Sequence, residues 1–425
     1  MRSRPFLALY GAVFVATMGI SMVSPLLPVY ARELGASGVW LGLTFSVFAI
    51  VQTFVGPFAG RLSDRFGRKP FIVAGLLIYL VAALGYLTAV NFYQVIAFRA
   101  FSGLGTSLIF SVARAYVGDM TPRGQEGRWL GVFATADIVG FGTGPLVAGF
   151  LREFVGFESV FIAMASMMGL SATILLFWLP RHSPQEILRR ADRLAHDPDL
   201  FSGLVWTGEL APGAPATISF ATALRDRLVL AVTTHQGLIS LSFGASLSFL
   251  ALRLEEGLGT GPLLIGIAFA TQDITGGLAQ PIFGRLADTY DRRALVAIGL
   301  LINAALLASI GIVPAYWLMV IVLMSMGASG AISQVAAGAI QVVAGRRVGM
   351  GTVLGIGSAS NGLGIVIGSV FSGLIVDAQG LAAAFLFGGV VMALGVPLFL
   401  FLTRGETTTD TAPEAVAAPA AAGGH

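Results

Sequence analysis

The sequence predicts an all-α polytopic membrane protein with twelve transmembrane helices in two pseudo-symmetric six-helix bundles. Three observations predict it: long apolar runs, charges confined to short gaps between those runs, and an internal repeat. Of the 425 residues, 56% are hydrophobic and 11% are charged, whereas a soluble domain is about half apolar and a quarter charged. Apolar runs of about 20 residues suit membrane-spanning helices, while barrel strands would be shorter and would alternate.

Counting about 20 apolar residues per span gives the twelve helices in order. The first run begins at Phe6 and is too long for a cleavable signal peptide, so it counts as the first span. The predicted spans are residues 6–30, 38–60, 71–90, 92–117, 128–152, 157–179, 228–252, 262–285, 294–312, 314–343, 349–376 and 381–403.

The basic residues predict how these helices are oriented. If the N-terminus is cytoplasmic, 20 of the 25 lysines and arginines lie on the cytoplasmic side, and only Arg32, Arg152 and Arg253 lie on the other side. This asymmetry predicts a multi-pass protein of the plasma (inner) membrane with both termini cytoplasmic. The placement of basic residues on the cytoplasmic side therefore explains the net charge of +3. We expect no nucleic-acid partner.

The segments outside the spans divide the chain into two bundles, a linker and a tail. The stretch RHSPQEILRRADRLAH predicts a short surface helix, and the tail is of low complexity. The absence of cysteine excludes disulfides and thiolate metal sites. His182, His196 and His425 are scattered in polar segments, so we expect no metal and no cofactor. The predicted domains are residues 1–180 (first bundle), 181–227 (cytoplasmic linker), 228–404 (second bundle) and 405–425 (disordered tail).

An internal repeat relates the two bundles. Residues 34–70 and 258–294 share 11 identities in 37 ungapped positions at an offset of 224. The pattern G-R-L-x-D-x-x-x-R occurs in both copies, beginning at Gly60 and Gly284. Because each copy holds six spans, both copies cross the membrane in the same direction. Parallel repeats of this kind are typical of transporters that have a site at the interface between repeats and work by alternating access.

Charge is concentrated in the gap between the second and third spans, which reads GRLSDRFGRKP from Gly60 to Pro70. Three other segments are unusual for apolar spans: the Arg99-x-x-x-Gly103-x-Gly105 pattern, a glycine-rich pattern in the fifth span, and Pro25-Leu-Leu-Pro28. The fifth-span pattern is Gly140-x-x-x-Gly144-Pro145-x-x-Ala148-Gly149. Together these segments resemble the motifs of the major facilitator superfamily, in particular its twelve-span drug:proton antiporters. The resemblance implies that Pro25 and Pro28 end the first helix.

The resemblance implies a cytoplasmic gate around the charged gap. Asp64 can pair with Arg68 four residues later, and similarity to the family adds Asp119 at the end of the fourth helix. Such a network would latch the two halves together in the outward-open state. The alternative is that these charges only set the membrane topology. The candidate gate residues are Gly60, Asp64, Arg65, Gly67, Arg68 and Asp119.

The motif copies are not identical. In the second half, Thr289 and Asp291 stand where the first half has Arg65 and Gly67, so a gating role is less expected there. In the fifth span, Ala148 replaces a glycine of the family pattern. The resemblance nevertheless implies that Gly140, Gly144, Pro145 and Gly149 form the helix-five motif of antiporters.

Two carboxyl groups lie at membrane depth, Asp137 and Asp273, and ionisable groups there are functional candidates. Asp137 shares a helix face with Gly140 and Gly144, and Asp273 shares one with Gly276, Gly277 and Gln280. The resemblance places helices five and eight at the interface between halves. We hypothesise that at least one of the two acids takes up and releases the coupling proton. The alternative is a structural carboxylate that a hydroxyl or an arginine satisfies.

Three basic side chains also lie within spans. The family assigns the arginine at the position of Arg99 a part in proton movement, and the alternative is a partner on helix one. We expect Arg114 to meet Asp119 or lipid headgroups. His235 titrates near neutrality in general, but a lone histidine on a helix is usually only hydrogen-bonded.

The resemblance also predicts a substrate cavity lined by helices one, four, seven and ten. Methionine and aromatic surfaces adapt to varied apolar ligands, although ordinary helix packing explains any one of these side chains equally well. Few charges are expected in the cavity, which argues against sugar phosphates and di-acids. The candidates are Met18, Met22, Phe110, His235, Phe243, Trp317, Met324 and Gln334.

These observations favour proton-coupled export of apolar or amphipathic small molecules, cations among them, by a chain that functions as a monomer. The alternative is a transporter of a specific metabolite such as a sugar, amino acid or siderophore. No enzyme is expected, because the sequence holds no H-E-x-x-H or G-x-S-x-G pattern at membrane depth. No P-loop pattern is present, which excludes an ATP-driven pump for this chain alone. The expected partners are a small-molecule substrate, protons and the lipid bilayer.

Overall fold

The computed structural model describes residues 4–121, 125–180 and 220–406. Within these residues, twelve helices are long and apolar enough to cross a membrane, which confirms the predicted fold class. A four-residue helix, Phe220–Ala223, precedes the seventh. The twelve are α1 Arg4–Glu33, α2 Gly38–Phe66, α3 Arg68–Thr88, α4 Phe92–Met120, α5 Glu126–Phe154, α6 Phe157–Trp178, α7 Arg227–Gly257, α8 Pro262–Thr289, α9 Arg292–Ser309, α10 Tyr316–Val348, α11 Met350–Gln379 and α12 Leu381–Thr403.

The first helix does not end at its prolines. It breaks at Met22 and then continues from Val23 to Glu33, with Pro28 inside the second piece. Proline has no N–H, and its ring clashes with the carbonyl four residues earlier. Pro25 therefore disrupts the turn around Ser21 and Met22, upstream of itself. The expectation that Pro25 and Pro28 end the helix is wrong, because both fit into the first turns of the helix that resumes.

The second helix runs through its charged end. The predicted span stops at residue 60, whereas α2 continues to Phe66. Gly67 follows as the C-terminal cap residue and has a φ of +97°. The left-handed backbone region favours glycine, which explains why Gly67 can end the helix there. Charge therefore ended the apolar run but not the helix.

Some predictions lie outside the described residues. The linker helix, His182 and His196 are among them, as are residues 407–425 with His425. The domain boundaries at 180 and 228 stay predictions.

Helices of each half pack mainly on one another. In the first half α1 packs on α5 and α6, and α4 packs on α2 and α3; in the second half α7 packs on α11 and α12, and α10 packs on α8 and α9. The halves meet along two seams, α2 with α11 and α5 with α8. Each seam brings small residues against backbone: Gly42 faces the carbonyl of Ser369, and Gly266 faces the carbonyl of Pro145. Small residues allow such close approach of membrane helices.

The two ends of the molecule differ. We call the end that carries Gly60–Pro70 the basic end, and the end that carries the start of α2 the opposite end. At the opposite end one continuous hydrophobic core includes side chains of both halves, such as Leu41 and Phe249. At the basic end a Cβ added to Gly60 or to its repeat partner Gly284 would meet no heavy atom within 4 Å. The structure is therefore closed at the opposite end. At the basic end Pro57 and Arg114 of the first half and Gln341 and Leu354 of the second line a cavity between the halves, so the structure is open there.

Candidate functional site

A central cavity of about 740 Å³ lies between the halves on the open side of the seams. Helices α2, α4 and α5 line it from the first half, and α7, α10 and α11 line it from the second. Its charged lining residues are Arg114 and Asp137, and its aromatic ones are Phe110 and Phe141. Five carboxamides also line it, together with four hydroxyl side chains. The carboxamides are those of Gln52, Gln236, Gln334, Gln341 and Asn361. Sequence analysis had singled out only Gln334 of these five.

Asp137 occupies the wall of this cavity on α5. The hydroxyl of Thr17 on α1 donates to its Oδ1 at 3.2 Å, and the guanidinium of Arg114 on α4 lies 3.6 Å from its Oδ2. The expectation that Arg114 meets Asp119 or headgroups is therefore wrong. At about 100° per residue, positions 114 and 119 point about 140° apart on α4, so Arg114 faces the cavity while Asp119 faces Arg68.

A second cavity of about 290 Å³ lies among α5, α7, α8 and α10. Asp273 lines it together with Gly276, Gly277 and Gln280, which share its helix face as expected. Within the described part of the chain, no ion pair or hydrogen bond to the Asp273 carboxyl group is present. Asp137 and Gln334 line both cavities, so the two cavities adjoin.

The second cavity also contains polar groups that the sequence analysis missed. Gln272, Ser242 and Asn303 line it, and the buried hydroxyl of Ser246 has no hydrogen-bond partner among the described residues. A polar side chain inside an otherwise apolar run is the only sequence signal for these residues.

The charged gap forms a compact network around Arg68. Its guanidinium lies 2.5 Å from Asp64 and donates to Asp119 at 3.0 Å and to the hydroxyl of Ser63 at 2.9 Å. It also reaches the carbonyl of Gly60 at 3.4 Å. These groups all belong to the first half. Because the halves are apart at this end, a latch between them stays a prediction.

The other gate candidates lie beside this network. Gly67 makes the turn between α2 and α3. Arg65 lies with its guanidinium carbon 5.7 Å from the ring centroid of Phe66. Neighbouring Lys69 donates to the carbonyls of Leu176 and Leu179 at the end of α6. The turn therefore ties three helices of the first half together.

Arg99 is buried away from both cavities. Its guanidinium carbon lies 4.2 Å from the ring centroid of Phe48 and 5.0 Å from that of Phe45, both on α2. The described residues give it no carboxylate within ion-pair distance. A partner on helix one was the expected alternative, and the aromatic rings of α2 take that place through cation–π contact.

The helix-five motif serves two neighbours. Gly140 and Gly144 pack against α1, where the hydroxyl of Ser21 donates to the carbonyl of Gly140 at 3.1 Å. Pro145 and Gly149 instead pack against the first turns of α8. Gly140 and Gly144 therefore meet α1, whereas Asp137 on the same face also lines the second cavity beside α8.

The predicted cavity residues divide into two groups. Phe110 and Gln334 line the central cavity, and Phe243 and Gln334 line the second one. The prediction is wrong for Met22, which is buried in the hydrophobic core at the break in α1, and for Trp317, which is 70% exposed at the start of α10. A tryptophan at a span end suits the membrane interface.

Three further candidates line neither cavity. Met18 packs against the helix-five glycines through its backbone, and Met324 is exposed on α10. His235 is buried on α7, and its Nε2 has no hydrogen-bond partner among the described residues. The expectation that a neighbouring group satisfies this histidine does not hold for that nitrogen.

Sequence comparison identifies relatives along the whole chain. The model of the Major Facilitator Superfamily matches residues 9–234 and again residues 232–423. An uncharacterised MFS-type transporter of Methanocaldococcus jannaschii is 24% identical over 92% of this chain and 96% of its own length. The quinolone resistance protein NorA of Staphylococcus aureus is 25% identical over 93% and 94% of the two chains. The multidrug resistance protein MdtG of Salmonella arizonae is 24% identical over 93% and 95%.

Structural comparison gives the same fold. A bacterial homologue of the human lysosomal transporter Spinster, in an inward-facing and unoccupied conformation, has a TM-score of 0.70 at 15% identity over 95% of this chain and 96% of that chain. The human organic anion transporter TETRAN has a TM-score of 0.62 at 19% identity over 93% and 99%. At these identities the likeness concerns the fold alone.

Proposed function

Because the chain belongs to the major facilitator superfamily and is therefore a multi-pass membrane transporter, we propose that it exports apolar or amphipathic small molecules, cations among them, in exchange for protons. The halves would rock about the central cavity and expose it to one side of the membrane at a time. A single chain holds both halves and so suffices for the pathway.

One observation carries the proposal: two carboxyl groups, Asp137 and Asp273, line adjoining cavities at membrane depth. A buried carboxylate without a partner is costly. Asp137 has Arg114 and Thr17 beside it. Asp273 has no such neighbour among the described residues, so water in the cavity, a proton or a bound cation has to compensate its charge. Asp273 is therefore the stronger candidate for coupling.

The relatives and the motifs support the same function. NorA and MdtG carry names that describe quinolone and multidrug resistance. The helix-five motif resembles that of antiporters, and the aromatic rings of Phe110, Phe141 and Phe243 offer apolar contact in the cavities. Arg99, with its motif, is proposed to assist proton movement through the first half, although it acts at a distance from both cavities.

The positive-inside rule supports an orientation. With the basic end in the cytoplasm, most arginines face inward, and the open cavity faces the cytoplasm. The network around Arg68 would then form part of a cytoplasmic gate that closes when the halves approach at this end. A plasma (inner) membrane location with both termini cytoplasmic belongs to this proposal.

One feature favours a second function. Five carboxamides face the central cavity, and carboxamides can both donate and accept hydrogen bonds. A neutral polar metabolite, such as a sugar, would find more partners there than a hydrocarbon would. Proton-coupled transport of a specific metabolite is therefore the alternative.

Reconstitution in proteoliposomes with an imposed pH gradient tests both functions. Cationic dyes and sugars are offered separately, and the wild type is expected to move the dyes. Asp273→Asn is expected to reduce gradient-driven transport to background while leaving downhill exchange of the dye, and Asp137→Asn is expected to reduce it less. Glu158→Gln, a carboxyl change at the start of α6 outside both cavities, is the control.

The result that contradicts proton coupling is retained gradient-driven transport in both Asp→Asn variants. Transport of sugars without transport of dyes would instead favour the metabolite alternative.

A further inference from the structure

We propose that Glu153 and Asp377 are residues of the transport cycle: each carboxylate caps the first turn of a helix in the other half and so stabilises the conformation closed at the opposite end. The inference goes beyond the proposed function, because it requires neither a proton nor a particular substrate. It concerns the equilibrium between the conformations that alternating access needs.

Asp377 lies near the end of α11 and reaches the start of α2. Its Oδ1 accepts a hydrogen bond from the N–H of Gly38 at 2.6 Å, and its Oδ2 accepts one from the N–H of Val39 at 3.0 Å. The first N–H groups of a helix have no partner within the helix, and the helix dipole favours negative charge at this end. One carboxylate of the second half thus satisfies two such groups in the first half.

Glu153 makes the reciprocal contact. It lies at the end of α5, and its Oε2 accepts a hydrogen bond from the N–H of Leu263 at 3.3 Å. Helix α8 begins at Pro262, which has no N–H, so Leu263 offers the first donor of that helix. Gly261 precedes the helix, and a Cβ there would lie only 2.8 Å from Glu153 Oε2. Glycine therefore leaves the room that the carboxylate occupies.

The two contacts are related by the internal repeat. Adding the offset of 224 to Glu153 gives Asp377, and adding it to Val39 gives Leu263. The side chains differ in length, yet each occupies the equivalent position in its half. The repeat thus produces the same type of contact twice across the interface, with each half capping a helix of the other.

Neither capped helix supplies a cap of its own. Ser37 before α2 and Gly261 before α8 make no side-chain hydrogen bond to their helices. By contrast, Asn91, Asp226 and Asp291 cap their own helices α4, α7 and α9. A local cap stays in place in every conformation. A cap supplied by the other half is lost when the halves separate at this end, and this difference makes it a conformational contact.

Other charges that join the halves at this end reinforce the closed conformation. Arg152 donates to Glu255 at 2.8 and 3.2 Å, and Arg32 lies 3.5 Å from Glu256. Val376 stands at the repeat position of Arg152, so that ion pair has no symmetric counterpart. The exchanged caps, unlike that ion pair, occur once in each direction across the interface.

Distance measurement between spin labels tests the proposal. The chain has no cysteine, so Val90→Cys and Ile312→Cys place one label on each half. Both side chains are exposed, at 76% and 78%, in the loops that follow α3 and α9. The doubly labelled protein is measured in lipid nanodiscs without substrate or gradient, so a failure of proton coupling does not affect the result.

A charge at a helix end contributes enough to change a two-state ratio about two- to fivefold. We expect Glu153→Gln and Asp377→Asn each to raise the ratio of the long-distance to the short-distance population by that factor, and the double variant by about tenfold. Asp377→Glu retains the charge and is expected to restore part of the short-distance population. Glu158→Gln, at the same end but within its own half, is expected to change nothing.

Two results would overturn the proposal. One is a distance distribution in Glu153→Gln and Asp377→Asn that matches that of Glu158→Gln. The other is failure of either variant to insert and fold, since a group that stabilises only one of two conformations is dispensable for the fold.

Discussion

The two halves carry the same helices but different charges. In the first half Arg68 bonds Asp64 and Asp119. In the second half the equivalent Arg292 donates to the carbonyl of Ala287 at 3.2 Å, and Val343 occupies the position equivalent to Asp119. The turn residue differs as well: Gly67 has φ +97°, whereas Asp291 has φ −60° and caps α9.

The membrane interior differs in the same way. The position equivalent to Asp137 holds Asn361, and the position equivalent to Arg114 holds Gly338. Asn361 donates to the hydroxyl of Ser240 at 2.8 Å instead of facing a cation. The acid of the second half, Asp273, has Ala49 as its counterpart. Each half therefore holds one carboxyl group near the cavities, at positions the repeat does not relate.

The contacts between helices, by contrast, are the same in both halves. Gly149 packs on the backbone of Pro262, and Gly373 packs on the backbone of Gly38, its repeat equivalent. Close backbone contact is needed at both seams because both must form for the halves to close. A charge that acts at one gate or one coupling site is needed once. The comparison thus distinguishes residues that stabilise the fold in both halves from charged residues that are specific to one half.

The largest expected effect on stability comes from substitution of the charged residues in which the halves differ. Arg68→Ala removes a guanidinium whose side chain is 8% exposed and leaves Asp119, 11% exposed, without it. Breaking a buried pair in this way costs about 3 kcal/mol. Arg292→Ala is the matched variant in the second half and is expected to cost less, because Val343 stands at the position equivalent to Asp119 and no carboxylate there can lose its partner.

The melting temperature of the purified protein checks this difference. Equal decreases for the two variants would mean that the network around Arg68 does not distinguish the halves.

A smaller effect on stability is expected at the glycine contacts that both seams share. Gly149→Ala and Gly373→Ala each place a methyl group against backbone of the other half, and overpacking of this kind costs about 1–3 kcal/mol. The two variants are expected to lower the melting temperature by similar amounts.

Gly131→Ala and Gly351→Ala are controls on the same helices, because a Cβ at either position meets no heavy atom within 4 Å. We expect no loss of stability from them. A large effect of Gly149→Ala alone would show that the seams are not equivalent.

The smallest effect is expected from the ion pair inside the central cavity. Arg114 is 66% exposed in its pair with Asp137, and exposed pairs contribute about 0–1 kcal/mol. Arg114→Gln is therefore expected to lower stability by less than about 1 kcal/mol, and Arg128→Gln, an exposed arginine on α5, serves as the reference. A loss comparable to that of Arg68→Ala would mean that the pair is essential to the packing of α4 on α5.

The helices and the repeat could be predicted because the length of an apolar run and the offset between two copies can both be read directly from the sequence. The direction of a side chain could not be predicted as well. In a membrane helix the lipid-facing and the buried sides are both apolar, so periodicity did not separate Trp317 and Met324 from Phe243. The position of Met22 was missed for a related reason, since its burial at the break in α1 depends on packing between helices, which the apolar run does not show.

Polar partners were harder to predict. Asp64 and Arg68 are four residues apart, and that pair follows from helix geometry. Asp377 and Gly38 are 339 residues apart, and Glu153 and Leu263 belong to different halves. Their meeting depends on which helix ends face each other, which a single span does not reveal. The repeat offset was the available signal, because it makes Glu153 and Asp377 equivalent.

The exchanged caps make the interface self-complementary. A twofold rotation about the membrane normal carries Glu153 and the start of α8 onto Asp377 and the start of α2, as in an isologous homodimer. A half-length polypeptide with one such acid would therefore form both contacts by pairing with a copy of itself. Once two copies are fused in one gene product, a mutation can change one contact without the other. The stability of the closed conformation can then be changed through either contact separately.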